Sequence, residues 1–337
     1  MWLTTRSVLH ECLIGLCMVC ASFSVAAQPQ EHVEVSETQY WISRMALAAE
    51  QTDFDGTYVA VQSGEFFTLH TQHVNVAGQQ YELVDKLDGG ERQIFRINDI
   101  FYAIFPQFQK IVMEHGSIAK MFPRMFNTSH GQPQDYYQIE AAGEERLIGR
   151  MATKLYIRPL DDLRFGYTVW VDNLSGLLLR LQVEDSGQQV LEQIAFTEIE
   201  FGASEAEKNE LPTYIERLIA QDYQIQELQF MHIKPELQGW SLSSDIPGFE
   251  AVSSVERFLA VSNRQLVQWV FSDGLVSVSI FIEPASQYTN GEPRSYSRGA
   301  TNSMSYQHDQ WWVTLVGEVP QSTLQRFAQS LHHQNQK

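Results

Sequence analysis

Between Phe54 and Phe201 the chain repeats one pattern: short runs in which apolar and polar residues alternate, divided by turn-forming residues. Tyr167, Val169 and Val171 alternate with Thr168 and Trp170, and Leu177, Leu179, Leu181 and Val183 alternate with Leu178, Arg180, Gln182 and Glu184. Successive side chains of a strand point to opposite faces, so a period of two predicts a half-buried antiparallel sheet. Ser63-Gly64, Ala77-Gly78, Asp88-Gly89-Gly90, Asn98-Asp99 and Asp185-Ser186-Gly187 mark the turns. The short break Asn173-Leu174-Ser175-Gly176 predicts that its flanking strands form a hairpin.

A sheet with one apolar face needs a cover. Ser36 followed by Gln39 has the form of a capping box, and Trp41, Met45 and Ala48 or Ala49 then recur at helical spacing. This predicts a short helix held by packing against the sheet. The stretch Ile111 to Pro133, with Met113, Ile118, Met121, Phe122, Met125 and Phe126, interrupts the alternation and reads as a helix-and-loop excursion across the sheet. Its methionines and phenylalanines suit either ordinary core or the lining of a lipid-sized cavity. Residues 203–222 then become polar before Tyr214, Leu218 and Ile219, which predicts a linker ending in a short helix. The expected division is a β-rich domain over 28–205, a linker over 206–225 and a smaller domain over 226–337. The second domain is expected to hold strands over Gln226 to Ile233, Gln265 to Phe271, Leu275 to Ile282 and Gln310 to Glu318, and a helix from Ser322 to Leu331. Ser272-Asp273-Gly274 joins the middle pair as a hairpin.

The chain opens with Arg6, an apolar run from Cys12 to Val25, and Ala26-Ala27. That order has the form of a secretory signal cleaved after Ala27, so 1–27 is expected to be removed. The run of roughly 14 residues is shorter than the roughly 20 that span a bilayer. Cys12, Cys17 and Cys20 are the three cysteines, and all lie within it. The exported part is therefore expected to hold no disulfide and no thiolate-bound metal. The chain carries 23 Lys and Arg against 41 Asp and Glu, a formal net charge of −18. Such a field repels nucleic acid and anionic membrane surfaces at long range.

The sequence contains no His-Glu-x-x-His, Gly-x-Ser-x-Gly or phosphate-loop pattern, so no catalytic residue and no cofactor is assigned. His70 and His73, three apart on a predicted strand, point to opposite faces. His332-His333 reads as a solvated, frayed tail, and no metal site is expected.

An ordered series of segments resembles the periplasmic sigma-E regulatory family known as RseB or MucB. Trp41-Ile42-Ser43-Arg44-Met45 and Asp53-Phe54-Asp55-Gly56-Thr57-Tyr58-Val59 resemble the opening helix and first strand of the family. Leu87-Asp88-Gly89 with Glu91-Arg92-Gln93-Ile94, and the hairpin from Tyr167 to Arg180, are similar to its central segments. Leu237-Gln238-Gly239-Trp240, Phe271 to Phe281 and Val316-Gly317-Glu318-Val319-Pro320 resemble its second domain. Gln238 stands where the family has proline, and the linker near Glu205 to Gln224 is individual to this chain.

The resemblance implies an α+β protein: a LolA-like curved antiparallel half-barrel over helices, with a smaller C-terminal α/β domain. It implies a periplasmic regulator that binds the periplasmic part of a transmembrane anti-sigma factor and shields it from proteolysis. Lipid or lipopolysaccharide fragments would release the partner and start the envelope-stress response. The alternative is a LolA-type carrier of lipid or lipoprotein, for which a second domain has no evident use. Homo-oligomers remain open. Met113, Met121, Phe122, Met125 and Phe126 are the candidate cavity lining. Asp273, Gly274, Leu275, Arg294 and Arg298 are the candidate partner contacts, although Asp273-Gly274 also suits a plain turn and the arginines also suit solvent.

Overall fold

A computed structural model describes residues 36–115, 121–126, 131–259, 264–285 and 292–334. The expected signal at 1–27 lies outside the described residues, as does Ile118. Helix α1 (Glu37–Gln51) starts where Ser36 Oγ accepts the Gln39 amide at 3.1 Å. Its buried face carries Ile42, Met45, Ala48 and Ala49.

Eleven strands follow: β1 (Phe54–Gln62), β2 (Glu65–Val76), β3 (Gln79–Lys86), β4 (Arg92–Ile97), β5 (Ile100–Phe105), β6 (Lys110–His115), β7 (Tyr137–Leu147), β8 (Arg150–Pro159), β9 (Gly166–Asp172), β10 (Leu178–Glu184) and β11 (Val190–Phe201). All pair antiparallel with their neighbours, in the order β6-β5-β4-β3-β2-β1-β11-β10-β9-β8-β7. Two meanders thus meet where β1 lies beside β11. The predicted hairpin is β9–β10. Strand β9 is not half-buried but buried on both faces. Its outward Trp170 is roofed by the Arg180 guanidinium, 4.4 Å from the ring centroid, and donates its indole N–H to Glu145 at 2.8 Å. Long charged side chains cover apolar area with their stems, so a polar neighbour in sequence does not leave a strand exposed.

Residues 205–219 are helical. Leu211, between helices α2 (Glu205–Glu210) and α3 (Tyr214–Ile219), and Ile215 and Leu218 of α3 pack with Phe95, Tyr102 and Ile111 in a second, smaller core. This core lies on the face of the sheet opposite α1, because Ile94 packs with the α1 side while Phe95 packs here. Strand β12 (Gln224–Glu227) then joins the sheet parallel to β6. The predicted strand over Gln226 to Ile233 is therefore divided. β12 belongs to the first sheet, β13 (Phe230–His232) belongs to the second, and the chain crosses at Leu228 and Gln229.

Strands β14 (Trp240–Leu242), β15 (Glu250–Leu259), β16 (Arg264–Ser272), β17 (Ser277–Pro284), β18 (Arg294–Arg298), β19 (Thr301–His308) and β20 (Trp311–Gly317) complete the second domain, with helix α4 (Gln321–Ser330) and β21 (Leu331–His333). The second sheet runs β13-β15-β16-β17-β20-β19-β18. Leu324 and Phe327 of α4 are fully buried, and the Phe327 ring lies 5.5 Å from Phe249 and 5.2 Å from Phe271. The expected frayed tail is instead a strand. β21 pairs with β14, and the His333 ring packs 4.6 Å from Trp240. One continuous apolar core runs through both sheets. No helix among the described residues is long and apolar enough to cross a membrane.

Phe327→Ala should cost roughly 3–5 kcal/mol, read from urea unfolding, because it empties the junction of α4 with its sheet. A pH effect follows from His73. It is 1% exposed, lies against the Phe54 ring and donates its Nδ1–H to the Thr52 carbonyl at 2.8 Å. Burial pushes its pKa below the ordinary 6.5, against the opposing pull of Glu82. The folded state holds it neutral while the unfolded chain takes up a proton, so its stability contribution is complete above about pH 6.5 and declines as the pH falls below it. His73→Gln should flatten the unfolding midpoint against pH in that window; an unchanged slope would count against this role.

Candidate functional site

An arginine buried without a carboxylate partner is too costly to keep. Arg164, in the loop after β8, and Asp273, in the β16–β17 turn, both have fully buried side chains. Arg164 Nε donates to Asp273 Oδ2 at 2.7 Å, and the Tyr137 hydroxyl donates to the same oxygen at 3.1 Å. Arg164 also donates to Asp161 and, at 2.7 Å, to the Pro247 carbonyl. The Tyr136 and Phe249 rings flank its guanidinium at 4.6 and 4.7 Å. Burial, followed by the charge of Asp273, pushes the Tyr137 hydroxyl well above its ordinary range, so it stays a neutral donor. Asp273 Oδ1 accepts the amides of Leu275 and Val276, each at 2.8 Å, which fixes the turn. Gly131, at φ +73°, passes so close that a Cβ there would lie 2.3 Å from the Asp273 carbonyl carbon. This cluster clamps the first sheet to the second.

Two further contacts flank it. The β18–β19 turn lies on the β1–β2 turn, where the Gly299 amide donates to Ser63 Oγ and the Ala300 amide to Glu192 Oε1, each at 2.8 Å. Gly299 has φ +56°, a conformation that favours glycine, and a Cβ there would push aside the Glu192 and Gln62 side chains. At the other end Arg257 of β15 pairs with Glu114 of β6.

Between the clamp and the Arg257–Glu114 pair lies a crevice of about 570 Å³. Val255, Val270, Phe281 and Val316 of the second sheet form its apolar wall, and Met125 faces them from the first domain. His115, His232 and Glu318 add polar groups. Its size and mixed lining suit a few side chains of a bound segment.

Residues 37–215 match the MucB/RseB N-terminal domain, and residues 234–332 match the MucB/RseB C-terminal domain. The chain belongs to the MucB/RseB family. It is 29% identical over 304 residues to the sigma factor AlgU regulatory protein MucB of Pseudomonas aeruginosa, covering 88% of this chain and 92% of that protein. It is 25% identical over 306 residues to the sigma-E factor regulatory protein RseB of Salmonella typhimurium, covering 86% and 89%. The fold is similar to a crystal structure of MucB in complex with MucA(peri), with a TM-score of 0.65, 27% identity and coverage of 88% and 98%. It is also similar to the Pseudomonas aeruginosa MucA/MucB complex, with a TM-score of 0.67, 25% identity and coverage of 89% and 99%.

The fold divides the residues singled out in this family member. Met121, Phe122, Met125 and Phe126 come together on the α1 side of the first sheet. Phe122 packs 5.2 Å from Tyr58 and 5.0 Å from Phe196, and Phe126 sits edge-on to Tyr167 at 6.4 Å. Met113 does not join them. Ile111 to His115 is strand β6 rather than the predicted helix, and its alternation turns Met113 to the opposite face, beside the α3 core. No α-helix is present at 121–126 or 131–133. Asp273, Gly274 and Leu275 are all buried, with Asp273 satisfied inside the chain. Leu275 reaches the crevice from within. Arg298 pairs with Glu65 and stacks on Phe67 in the first domain. Arg294 is exposed. Sequence reasoning missed Arg164, Tyr137, Glu114 and Arg257. Arg164 alone carried a signal, since it sits between Leu163 and Phe165 in an apolar setting that demands a partner.

Asp273→Ala should lose roughly 3–5 kcal/mol, since it strands Arg164 and two amides. Asp273→Asn, which keeps an acceptor for the amides, should lose less. Chemical denaturation of the two variants gives the order.

Proposed function

We propose that this chain is a periplasmic regulator that binds the periplasmic part of a transmembrane anti-sigma factor in the crevice between its two sheets, shields that partner from proteolysis, and releases it when lipid enters the first domain. The observation that carries this reading is the ordered match to both family domains over nearly the whole described chain, together with a crevice of about 570 Å³ between the matched domains. The relatives' names describe regulatory proteins, and two of the similar structures hold MucB with MucA. This supports action by binding rather than by catalysis.

The segment Met121–Phe126 supports a route for release. Phe122 and Phe126 fill the core on the α1 side of the first sheet, while Met125, between them, lines the crevice. An acyl chain that took the place of Phe122 and Phe126 would draw Met125 from the crevice wall. The segment is held by Arg124, which pairs with Glu50 at 3.2 Å and with Gln80 at 3.1 Å. Both Arg124 and Glu50 are partly exposed, so this tether contributes only about 0–1 kcal/mol.

The decisive experiment is a pull-down of the protein with the periplasmic segment of its neighbouring anti-sigma factor, with and without lipopolysaccharide. Capture without lipid and loss with it are expected; absence of capture in both conditions would sink the regulator reading. Met125→Asp should weaken capture about tenfold or more, since it places a carboxylate on an apolar wall. Phe122→Asp, if folded by circular dichroism, should abolish the effect of lipid while leaving some capture. Unchanged lipid release in that variant would remove Phe122 from the lipid site.

A further inference from the structure

The second sheet has a cavity on each face. Along β16 the side chains of Gln268 and Val270 line the crevice, while Trp269 and Phe271 line a separate cavity of about 750 Å³ on the other side. Its floor is aromatic and rigid. Trp269, Phe271 and Phe249 are 5%, 4% and 7% exposed, and the first two rings lie 4.7 Å apart. Its rim is acidic: Glu236, Asp245 and Glu250 line it and are all exposed. The side chains of these three make no hydrogen bond or ion pair with any described residue. Arg164 lies behind Tyr136 and Phe249, already committed to Asp273 and Asp161. The cavity lining therefore brings largely buried aromatic side chains and uncompensated negative charge together.

We propose that this cavity is a binding site for a cationic peptide segment, with a lysine or arginine side chain over the aromatic floor, its charge held by Glu236, Asp245 and Glu250, and an adjacent apolar residue beside Ile246. A cation gains from ring faces and carboxylates at once, and most where a ring floor limits its hydration. The cavity volume is within the range of sites that enclose a ligand of several residues' side chains rather than one small ion. The net charge of −18 favours the approach of such a segment and opposes that of an anionic lipid headgroup. The site lies on the face of the second sheet opposite the crevice, so it is independent of the partner proposed for the crevice.

The test is fluorescence anisotropy of a fluorescein-labelled lysine–leucine hexapeptide titrated with the protein, alongside the glutamate–leucine hexapeptide. Saturable binding of the lysine peptide alone is expected. The triple variant E236Q/D245N/E250Q should weaken it about tenfold or more, whereas E198Q/E200Q/E216Q, which removes the same charge at exposed positions elsewhere, should change it less than about twofold. Equal weakening by both triples would overturn the proposal, because it would mean attraction to the whole acidic surface. Failure of the unmodified protein to bind the lysine peptide would overturn it as well. Hydrogen exchange on the unmodified protein gives a reading free of any folding defect. Peptide-induced protection within 236–251 and around Trp269 is expected, and protection confined to other segments would overturn the assignment.

Discussion

The relation between the two sheets depends on one buried ion pair. Arg164 and Asp273 have no contact with solvent, and neither could be buried without the other. The same arginine reaches the Pro247 carbonyl and is flanked by Tyr136 and Phe249, while the same aspartate holds the turn that presents Leu275 and Val276. Apolar packing between sheets is tolerant of small slips, because any apolar area replaces any other at similar gain. An Arg–Asp pair with a hydroxyl and two amides on the same carboxylate is not. It admits one register, and that register sets the width of the crevice on one face of the second sheet and the position of Phe249 on the other.

The interior positions resist solvent differently. On the α1 side of the first sheet the rings of Tyr58, Phe122 and Phe196 already pack at 5.0–5.8 Å, whereas the crevice keeps open volume lined by the second sheet. The chain's own side chains thus fill the first of these spaces, while the second stays open. Burial of a phenylalanine contributes about 1.5–3 kcal/mol, and an acyl chain contributes about 0.8 kcal/mol for each methylene it buries. A lipid that buries a handful of methylenes can therefore offset the withdrawal of Phe122 and Phe126, whereas a small polar molecule cannot.

Much of this was legible in the sequence, and the parts that were not share a physical cause. The capped helix at Ser36, the β9–β10 hairpin and the helix at Leu324 and Phe327 follow from local periodicity, because the residues that decide them lie within a few positions of one another. Met113 was misplaced because a strand of six residues and a helix turn cannot be told apart in a short run of mixed apolar residues. The turn at Asp273-Gly274 is legible from its Asp-Gly pair, but its burial is not, because the partner Arg164 is 109 residues away. His333 was misread for the same reason: Trp240, which orders it, is 93 positions earlier in the chain. Met121, Phe122, Met125 and Phe126 stand out as a group by composition, but which of them packs in the core and which lines the crevice depends on the way each side chain turns at 121–126.

That division is what a switch requires. A ligand shifts an equilibrium only by the difference in its affinity for the two states, and the coupling between two sites is reciprocal. If lipid and partner each touched a separate rigid wall, lipid could bind without any effect on the partner. Met125 and Phe122 lie three residues apart in one short segment, Met125 on the crevice wall and Phe122 in the core of the first sheet, so a ligand that displaced Phe122 would also move Met125. The exposed Arg124–Glu50 pair adds little to the hold that burial of Phe122 and Phe126 already gives the segment, and the Arg164–Asp273 clamp ties the two sheets together without it. On the proposed mechanism, a ligand that displaced Phe122 and Phe126 would change the crevice wall at Met125, and by reciprocity a bound partner would make that displacement harder by the same factor.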